Sequence, residues 1–464
     1  MPALEAHVPS QPPAPPETGD VFQRLLRLSL PIVGLNVLSV LSMVVDTAMC
    51  GRLPNNENAL NALGFATQVV FLAMVLMMGL VVGTVALVSR AHGAGDEARV
   101  NHILRQSMQL TVIVSLTIAV LGNVFAPAIL RLLGANGAAL ALALDYLRPN
   151  LSFTVFIYLA MLLAAVLRGV GNTRLPFLVA IFSNALNVLF NYGLILGNFG
   201  LPSLGVQGAA IGTILSQACG VTLLIVLLRR GAVPGVCPPL RPAPFDVPLA
   251  KDLARVGAPA ALDMVILNAG FASIVGMLGR IDPLAVAAHG VGLRVQGLAF
   301  VPGLGISQAT GAMVGNALGA HDVRGARSVA RSSMVLCTIV MSLIAVVLFV
   351  YAVEIVALFE VLPGSPLSDL TVQWMHLLGF GMPIVGAHIA VMGTLRGSGA
   401  TRTSLMINIV GTAIQIPLSW FLGFGLGLGP WGIWAGFPLS FVVKALMGAA
   451  AYVRGRWAVV GDSI

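Results

Sequence analysis

The sequence predicts an all-α protein that crosses a membrane twelve times, arranged as two related bundles of six helices. Two properties of the whole chain support the membrane assignment. Of its 464 residues, 58% are hydrophobic and only 9% are charged, whereas a soluble globular protein has about 25% charged residues. The 52 glycines are typical of helices that pack closely inside a bilayer. A third observation, an internal repeat, supports the division into two bundles.

Twelve apolar stretches are long enough to cross the hydrocarbon core, which takes about 20 helical residues. Their hydropathy predicts spans at 25–50, 60–89, 104–126, 146–168, 174–198, 205–229, 252–279, 284–317, 329–354, 371–396, 402–425 and 430–453.

Basic residues set the predicted orientation. If both termini are cytoplasmic, 19 of the 25 Lys and Arg residues lie in cytoplasmic segments. The outer loops then hold Arg52, Arg131, Arg148 and Arg280. This bias follows the positive-inside rule and also accounts for the net charge of +8, so no nucleic-acid partner is expected. We therefore expect an integral protein of the cell inner membrane with both termini cytoplasmic.

A proline-rich segment separates the two bundles. Residues 231–250 contain six prolines, and proline cannot continue a helix, so we expect an irregular cytoplasmic linker here. The predicted organisation is a disordered tail at 1–20, an N-lobe at 21–230, the linker at 231–250, a C-lobe at 251–456 and a C-terminal tail at 457–464.

The two bundles repeat each other in sequence. Pro31 matches Pro259, and LRGVGNTR at 167–174 matches LRGSGATR at 395–402, both at an offset of 228 residues. Each bundle has an even number of spans, so both keep the same orientation and the repeat is parallel. A substrate site is then expected between the bundles, near the bilayer midplane.

The repeated LRG-x-G-x-T-R segments lie between spans four and five and between spans ten and eleven. Glycine permits a tight turn there, and the flanking arginines are suited to the lipid headgroups. A second pair, Gly93-Ala94 and Gly319-Ala320, recurs at an offset of 226. We expect the LRG-x-G-x-T-R segments to act as hinges or anchors.

One carboxylate lies inside the first span. A charged residue at the centre of a transmembrane helix costs roughly 2.5–3.5 kcal/mol on insertion scales, so Asp46 needs a partner, water or a function. Asn36, Ser39, Ser42 and Asp46 share one face, because spacings of three and four return to the same side of a helix. We expect this face to line a polar cavity.

The fifth span carries a stripe of amides. The stripe consists of Asn184, Asn187 and Asn191. The offset of 228 maps it onto Thr412, Gln415 and Ser419. A polar stripe is therefore common to both bundles and can serve as hydrogen-bonding contacts between helices. Asp46, however, maps onto Ile274, so the acid distinguishes the first bundle.

A second acid lies in the seventh span, four residues after Pro259. Asp263 could contact a substrate cation, act as a second proton site, or pair with Arg294 or His388. The candidate substrate cavity comprises Asn36, Gln68, Asp263 and His388. The four cysteines show no paired spacing, so neither a disulfide framework nor a zinc site is expected.

Several segments resemble the multidrug and toxic compound extrusion (MATE) family of cation-coupled antiporters. They are Pro31 with VDTAMCGRL at 45–53, LRGVGNTR at 167–174, FSNALNVLFNYGLI at 182–195, GVQGAAIGT at 205–213 and VAAHG at 286–290. The resemblance covers nearly the whole chain after residue 20. It implies two lobes of six helices around a V-shaped central cavity, and transport by alternating access.

The resemblance also implies a site for the coupling ion in the first lobe. Its acid would be Asp46, its fifth-helix pair Asn187 and Asn191, and its sixth-helix hydroxyl Thr213. Some family members carry an aspartate where this chain has Asn191, so the site here has less negative charge. We favour H⁺ as the coupling ion and keep Na⁺ as the alternative, since oxygen donors suit either.

The expected function is a secondary antiporter that exports organic cations or amphipathic drugs, acting as a monomer without a cofactor. A flippase of lipid-linked oligosaccharides is the alternative, although such a protein would need several basic residues in its cavity and the spans contain only Arg294 and Lys444. No H-E-x-x-H, G-x-S-x-G or Asp-rich motif favours an enzyme. The parallel duplication with a single-lobe acid suits alternating access better than a channel.

Overall fold

A computed structural model describes residues 18–53, 56–239, 241 and 244–459. Within these ranges, eleven helices are long and apolar enough to cross a bilayer, and one bent helix pair supplies the twelfth span. The spans are α1 (Thr18–Cys50), α2 (Asn56–Gly93), α3 (Glu97–Leu132), α4 (Gly137–Ser152 and Thr154–Gly169), α5 (Arg174–Leu196), α6 (Val206–Arg229), α7 (Val247–Leu278), α8 (Pro283–Gly319), α9 (Val323–Val350), α10 (Pro366–Gly397), α11 (Thr401–Gly425) and α12 (Gly429–Arg454). The predicted all-α membrane fold is confirmed.

Several helix boundaries differ from the sequence prediction by five residues or more, most of all at the start of α4. α4 begins at Gly137, well before the predicted start at 146, because the intervening run of Ala and Leu has high helix propensity. It bends by 53° between its two pieces, one turn after Pro149. α1 begins at Thr18, inside the predicted tail, while residues 1–17 of that tail and 460–464 at the other terminus lie outside the described residues.

Each lobe has its own apolar core. In the N-lobe, buried side chains of α2, α3, α4 and α6 form one cluster around Leu104, Leu163 and Leu224. In the C-lobe, Trp374 of α10 packs against Trp434 and Phe437 of α12, with ring centroids 5.7 and 5.8 Å apart.

The two lobes meet at one end of the molecule. The termini and the α2–α3, α4–α5, α8–α9 and α10–α11 connections share this end, which we call the termini side. The first half of α1 packs into a C-lobe cluster through Leu25 and Ile32. The first half of α7 packs into the N-lobe through Leu249 and Leu253. Because these contacts lie in the half next to the termini, the lobes form a V that is closed on the termini side.

The linker between the lobes is docked onto α3. Asn101 donates a hydrogen bond to the carbonyl of Gly235 at 2.8 Å. Gln106 donates to the carbonyl of Pro244 at 2.8 Å. Asp246 lies 2.8 Å from His102 and also caps the first turn of α7 by accepting from the backbone N–H of Leu249. The described part of the linker is irregular as far as Asp246, whereas residues 247–250, which the prediction also assigned to the linker, are already the first turn of α7. The linker joins the start of the C-lobe to the N-lobe.

Candidate functional site

The N-lobe contains a connected polar cluster built from α1, α5 and α6. The amide of Asn191 donates to Asp46 Oδ1 at 2.5 Å and to Asn187 Oδ1 at 3.3 Å. The amide of Asn187 donates to Thr213 Oγ1 at 3.1 Å, and the hydroxyl of Ser42 donates to Asn187 Oδ1 at 3.1 Å. The structure thus brings together the four side chains expected at the ion site, and Ser42 joins them. We call these five residues the Asp46 cluster.

The cluster depends on a glycine that the sequence analysis did not single out as a site residue. A Cβ placed on Gly212 of α6 would overlap Asn191 Oδ1. Glycine at this position lets α6 approach α5 closely enough for the Asn191 side chain to reach Asp46. The motif GVQGAAIGT at 205–213 therefore supplies both the Thr213 hydroxyl and the space beside Asn191.

The cluster spans the boundary between the lobe interior and the open surface. Asn187 and Asn191 are buried, whereas Asp46 is half-buried. The carbonyl oxygen Oδ1 of Asn191 is buried and has no hydrogen-bond partner among the described residues. A carboxylate, two amides and a hydroxyl can share a proton through hydrogen bonds, and their oxygens are also the ligand type that hard cations prefer.

The C-lobe repeats this scaffold without the acid. Gln415 of α11 donates to the carbonyl of Gly270 at 3.3 Å. At an offset of 228 these two residues correspond to Asn187 and Ser42, which are hydrogen-bonded to each other in the N-lobe. A Cβ on Gly436 would overlap Ser419 Oγ, which repeats the relation between Gly212 and Asn191. Ile274, the counterpart of Asp46, is fully buried. The polar stripe is therefore architectural in both lobes, and the carboxylate is specific to the first.

Asp263 forms a second polar cluster in the C-lobe. Its side chain is fully buried and accepts three hydrogen bonds. The donors are Arg396 Nη2 at 2.7 Å, Ser404 Oγ at 2.9 Å and Asn408 Nδ2 at 2.5 Å. Arg396 neutralises the carboxylate, so neither of the expected ion-pair partners, Arg294 and His388, is the residue that binds it.

Asp263 and Asn408 lie on α7 and α11, the C-lobe counterparts of the helix pair α1 and α5 that carries Asp46 and Asn191, but at a different depth. Asp263 and Asn408 are 145 residues apart, as are Asp46 and Asn191. Asp263 lies eleven residues before Ile274, which places it about 16 Å nearer the termini side at 1.5 Å per residue. The two acids are therefore not counterparts in the repeat, although each bonds an asparagine across the equivalent helix interface of its own lobe.

Arg396 was expected to extend toward the headgroups as part of the LRGSGATR segment. Instead its guanidinium lies against Asp263, with only 18% of the side chain exposed. A buried carboxylate requires a cationic partner, and that requirement outweighs the attraction of the headgroups. The spacing between the two residues, 133 positions apart, contains no periodic signal that could have revealed the pair.

The four residues of the candidate substrate cavity do not form one surface. Gln68 of α2 is exposed and Asn36 of α1 is half-buried. His388 of α10 is 3% exposed and packs edge-on against Phe441, with ring centroids 5.2 Å apart. Asp263 and His388 thus lie inside the C-lobe, while Asn36 and Gln68 are at least partly exposed on α1 and α2.

The fold and this polar cluster define a class of protein: a polytopic membrane transporter with two repeated six-helix lobes. Comparison with solved structures agrees. A structure described as "Crystal structure of MATE in the bent conformation" superposes with a TM-score of 0.87 at 23% identity, covering 96% of this chain and 97% of that one. This likeness establishes the fold.

The sequence profile of the MatE family matches residues 31–193 and 259–421, and the chain belongs to this family. The two matched segments are related by the same offset of 228 that joins Pro31 to Pro259. Family members are transporters rather than enzymes.

Two relatives match over nearly their whole length. The probable multidrug resistance protein NorM of Thermotoga maritima is 27% identical over 451 residues, which is 95% of this chain and 94% of the relative. The protein of the same name from Bradyrhizobium diazoefficiens is 29% identical over 439 residues, with 92% of each chain covered.

Proposed function

We propose that this chain is a secondary antiporter that exports organic cations or amphipathic drugs in exchange for a cation bound at the Asp46 cluster. The observation that carries the proposal is the bond from Asn191 to Asp46, inside a polar scaffold that both lobes possess but only the N-lobe supplies with an acid. Multidrug resistance in the names of the relatives supports the substrate class.

The path of α1 connects the Asp46 cluster to the contacts between the lobes. The first half of α1 packs against α8, α9 and α10 of the C-lobe through Leu25 and Ile32. Its second half packs within the N-lobe, where Cys50 contacts residues of α5 and α6. Pro31 lies near the middle of α1, next to Ile32, and weakens the helix there. Loss of the charge on Asp46 would let the second half repack and so change the contacts of the first half.

H⁺ is the favoured coupling ion. Asp46 is the single full charge in the cluster, and the amide nitrogen of Asn191, rather than its oxygen, faces the carboxylate. A bound Na⁺ would need oxygen at that position, so the amide would have to turn over. An N–H donor instead stabilises the carboxylate between two protonation events.

The Asp263 cluster is proposed to balance charge within the C-lobe rather than to bind the coupling ion. Arg396 already compensates the carboxylate, and Lys444 is 1% exposed. These buried basic groups also do not present positive charge to the opening between the lobes. Arg294 of α8 is exposed, but it is the one exposed basic residue of the two predicted inside the spans. A flippase for lipid-linked phosphates would need several such charges, so the antiporter is the better-supported function.

We further propose that the termini side is cytoplasmic, because 19 of the 25 basic residues fall in segments at that end. The structure is then closed to the cytoplasm. A reporter fused to the linker at position 242 should be found inside the cell. An extracellular reporter would reverse the orientation and the direction of transport.

The function is tested with purified protein in proteoliposomes. An imposed pH gradient and an imposed Na⁺ gradient are applied separately, and uptake of a fluorescent organic cation is followed. We expect the pH gradient to drive accumulation and the Na⁺ gradient alone to have no effect. If neither gradient drives accumulation of the organic cation, antiport is rejected. If only the Na⁺ gradient drives it, the coupling ion is Na⁺ rather than H⁺.

A further inference from the structure

The repeated LRG-x-G-x-T-R segments receive hydrogen bonds from the opposite lobe on the termini side. Arg90 of α2 donates through Nη2 to the backbone carbonyl of Ser398, in the C-lobe segment, at 2.6 Å. Asn316 of α8 donates through Nδ2 to the backbone carbonyl of Gly169, in the N-lobe segment, at 3.1 Å. Each bond therefore runs from a helix of one lobe to the motif of the other.

The two donors occupy counterpart positions in the internal repeat, and their acceptors, Ser398 and Gly169, differ from counterpart positions by one residue. Arg90 and Asn316 are related by the offset of 226 that also relates Gly93 to Gly319. The glycines show the same reciprocity, because a Cβ on Gly93 would overlap the carbonyl of Asn316 and a Cβ on Gly319 would overlap the carbonyl of Arg90. The helices α2 and α8 thus cross at backbone distance, with one donor on each side of the crossing.

The closed crossing leaves polar atoms without partners. Arg90 Nε and Asn316 Oδ1 are both buried and have no hydrogen-bond partner among the described residues. A buried unpaired polar atom is unfavourable, and separation of the lobes would expose both atoms to water. The closed state is thus stabilised by two hydrogen bonds across the crossing and destabilised by two unpaired buried atoms of the same residues. Because these contributions oppose each other, the closed contact can open again.

We infer that Arg90 and Asn316 form a reciprocal latch that holds the termini side of the cavity closed, with the backbone of the two LRG-x-G-x-T-R segments as its acceptors. The inference rests on the proposed function in that alternating access requires this end to open. Arg90 and Asn316 are positioning residues, since they act on the arrangement of the lobes rather than on the transported molecule. The latch gives both copies of the motif a role as cross-lobe acceptors, which hinges or headgroup anchors would not have.

The test is hydrogen–deuterium exchange of the full chain in nanodiscs, without substrate, followed by mass spectrometry. Asn316→Ala should raise the ratio of open to closed molecules about fivefold, and Arg90→Ala about tenfold, because its donor is charged. Deuterium uptake should rise in segments 86–95 and 311–320. Uptake should fall in segments 278–284 and 425–430 at the opposite side, because the lobes close there as the termini side opens.

Controls separate the latch from a loss of stability and from the proposed function. Arg105→Ala removes an exposed charge of α3 at the same end and should match the wild type. Hydrogen exchange does not depend on transport. If both variants show the rise at the termini side and the fall at the opposite side, but the wild type does not transport, the latch is supported and the antiporter is rejected. Unchanged uptake in both variants, or a rise at the termini side without a fall at the opposite side, would overturn the latch.

Discussion

Substitution of Asp263 should damage stability rather than ion coupling. In Asp263→Ala, Arg396 loses its only ion-pair partner among the described residues while most of its side chain stays buried. Ser404 and Asn408 each lose a hydrogen bond to the same carboxylate. Removing one partner of a buried ion pair typically costs about 3–5 kcal/mol, because the remaining charge is left uncompensated. We expect a loss of that size in the free energy of unfolding.

The size of the pairwise interaction can be isolated with a double-mutant cycle. Replacing both members of a buried ion pair by apolar residues is often close to neutral, so Arg396→Met should recover much of the stability lost in Asp263→Ala. The coupling energy from the cycle should be about 2–3 kcal/mol. Unfolding is followed by titration with a denaturing detergent, monitored by circular dichroism of the purified variants.

Asp46→Ala is the matched control, because Asp46 is half-buried and hydrogen-bonded to a neutral amide instead of an arginine. Its loss should cost no more than about 1 kcal/mol. Two results would refute the reasoning: Asp263→Ala as stable as Asp46→Ala, or costs of the two C-lobe substitutions that simply add.

Two further predictions concern the ion cluster and the linker. Gly212→Ala should displace Asn191 from Asp46 and lower uphill transport at least several-fold in proteoliposomes. The control Gly436→Ala makes the equivalent clash in the lobe without an acid and should keep coupling intact. Equal losses of transport in both variants would contradict the role of Gly212. Asp246→Ala should increase hydrogen exchange at residues 244–253. The Leu249 N–H and His102 hold the pKa of Asp246 below its ordinary value of 3.8, so its contribution is complete above about pH 4 and is lost as the pH falls through the folded pKa. The difference in hydrogen exchange between Asp246→Ala and the wild type should therefore be the same at about pH 5 and pH 7. A difference that disappears at pH 5 would reject this explanation.

Most of the fold followed from hydropathy and the repeat, because a bilayer requires long apolar helices and allows few alternatives. The exceptions are instructive. The first piece of α4 contains too few residues for a full span, so its helical state followed from Ala and Leu propensity rather than from span length. The bend after it lies one turn beyond Pro149, and hydropathy did not predict it because hydropathy reports apolar length rather than the direction of a helix.

Helical spacing singled out the polar face of α1 and the amide stripe of α5, and the contrast between Asp46 and Ile274 marked the acid as specific to the first lobe. The grouping of Asp46 with Asn187, Asn191 and Thr213 came from the resemblance to the family. The partner of Asp263 was not accessible in this way. Arg396 is 133 residues away on another helix, and its flanking glycines suggested a turn at the membrane surface. Contacts of this kind depend on the tertiary arrangement of three helices, so they become visible only in the structure.

The most direct test of the account is proton release by the purified protein when substrate binds. The protein is mixed with a saturating organic cation in weakly buffered detergent solution near pH 7, and a pH-sensitive dye reports released protons. The wild type and the double variant Asp263→Ala/Arg396→Met, in which stability is largely recovered, should release a proton, and Asp46→Asn should release none while remaining folded by size-exclusion chromatography. Release from Asp46→Asn equal to that of the wild type would contradict the assignment of the coupling ion to Asp46.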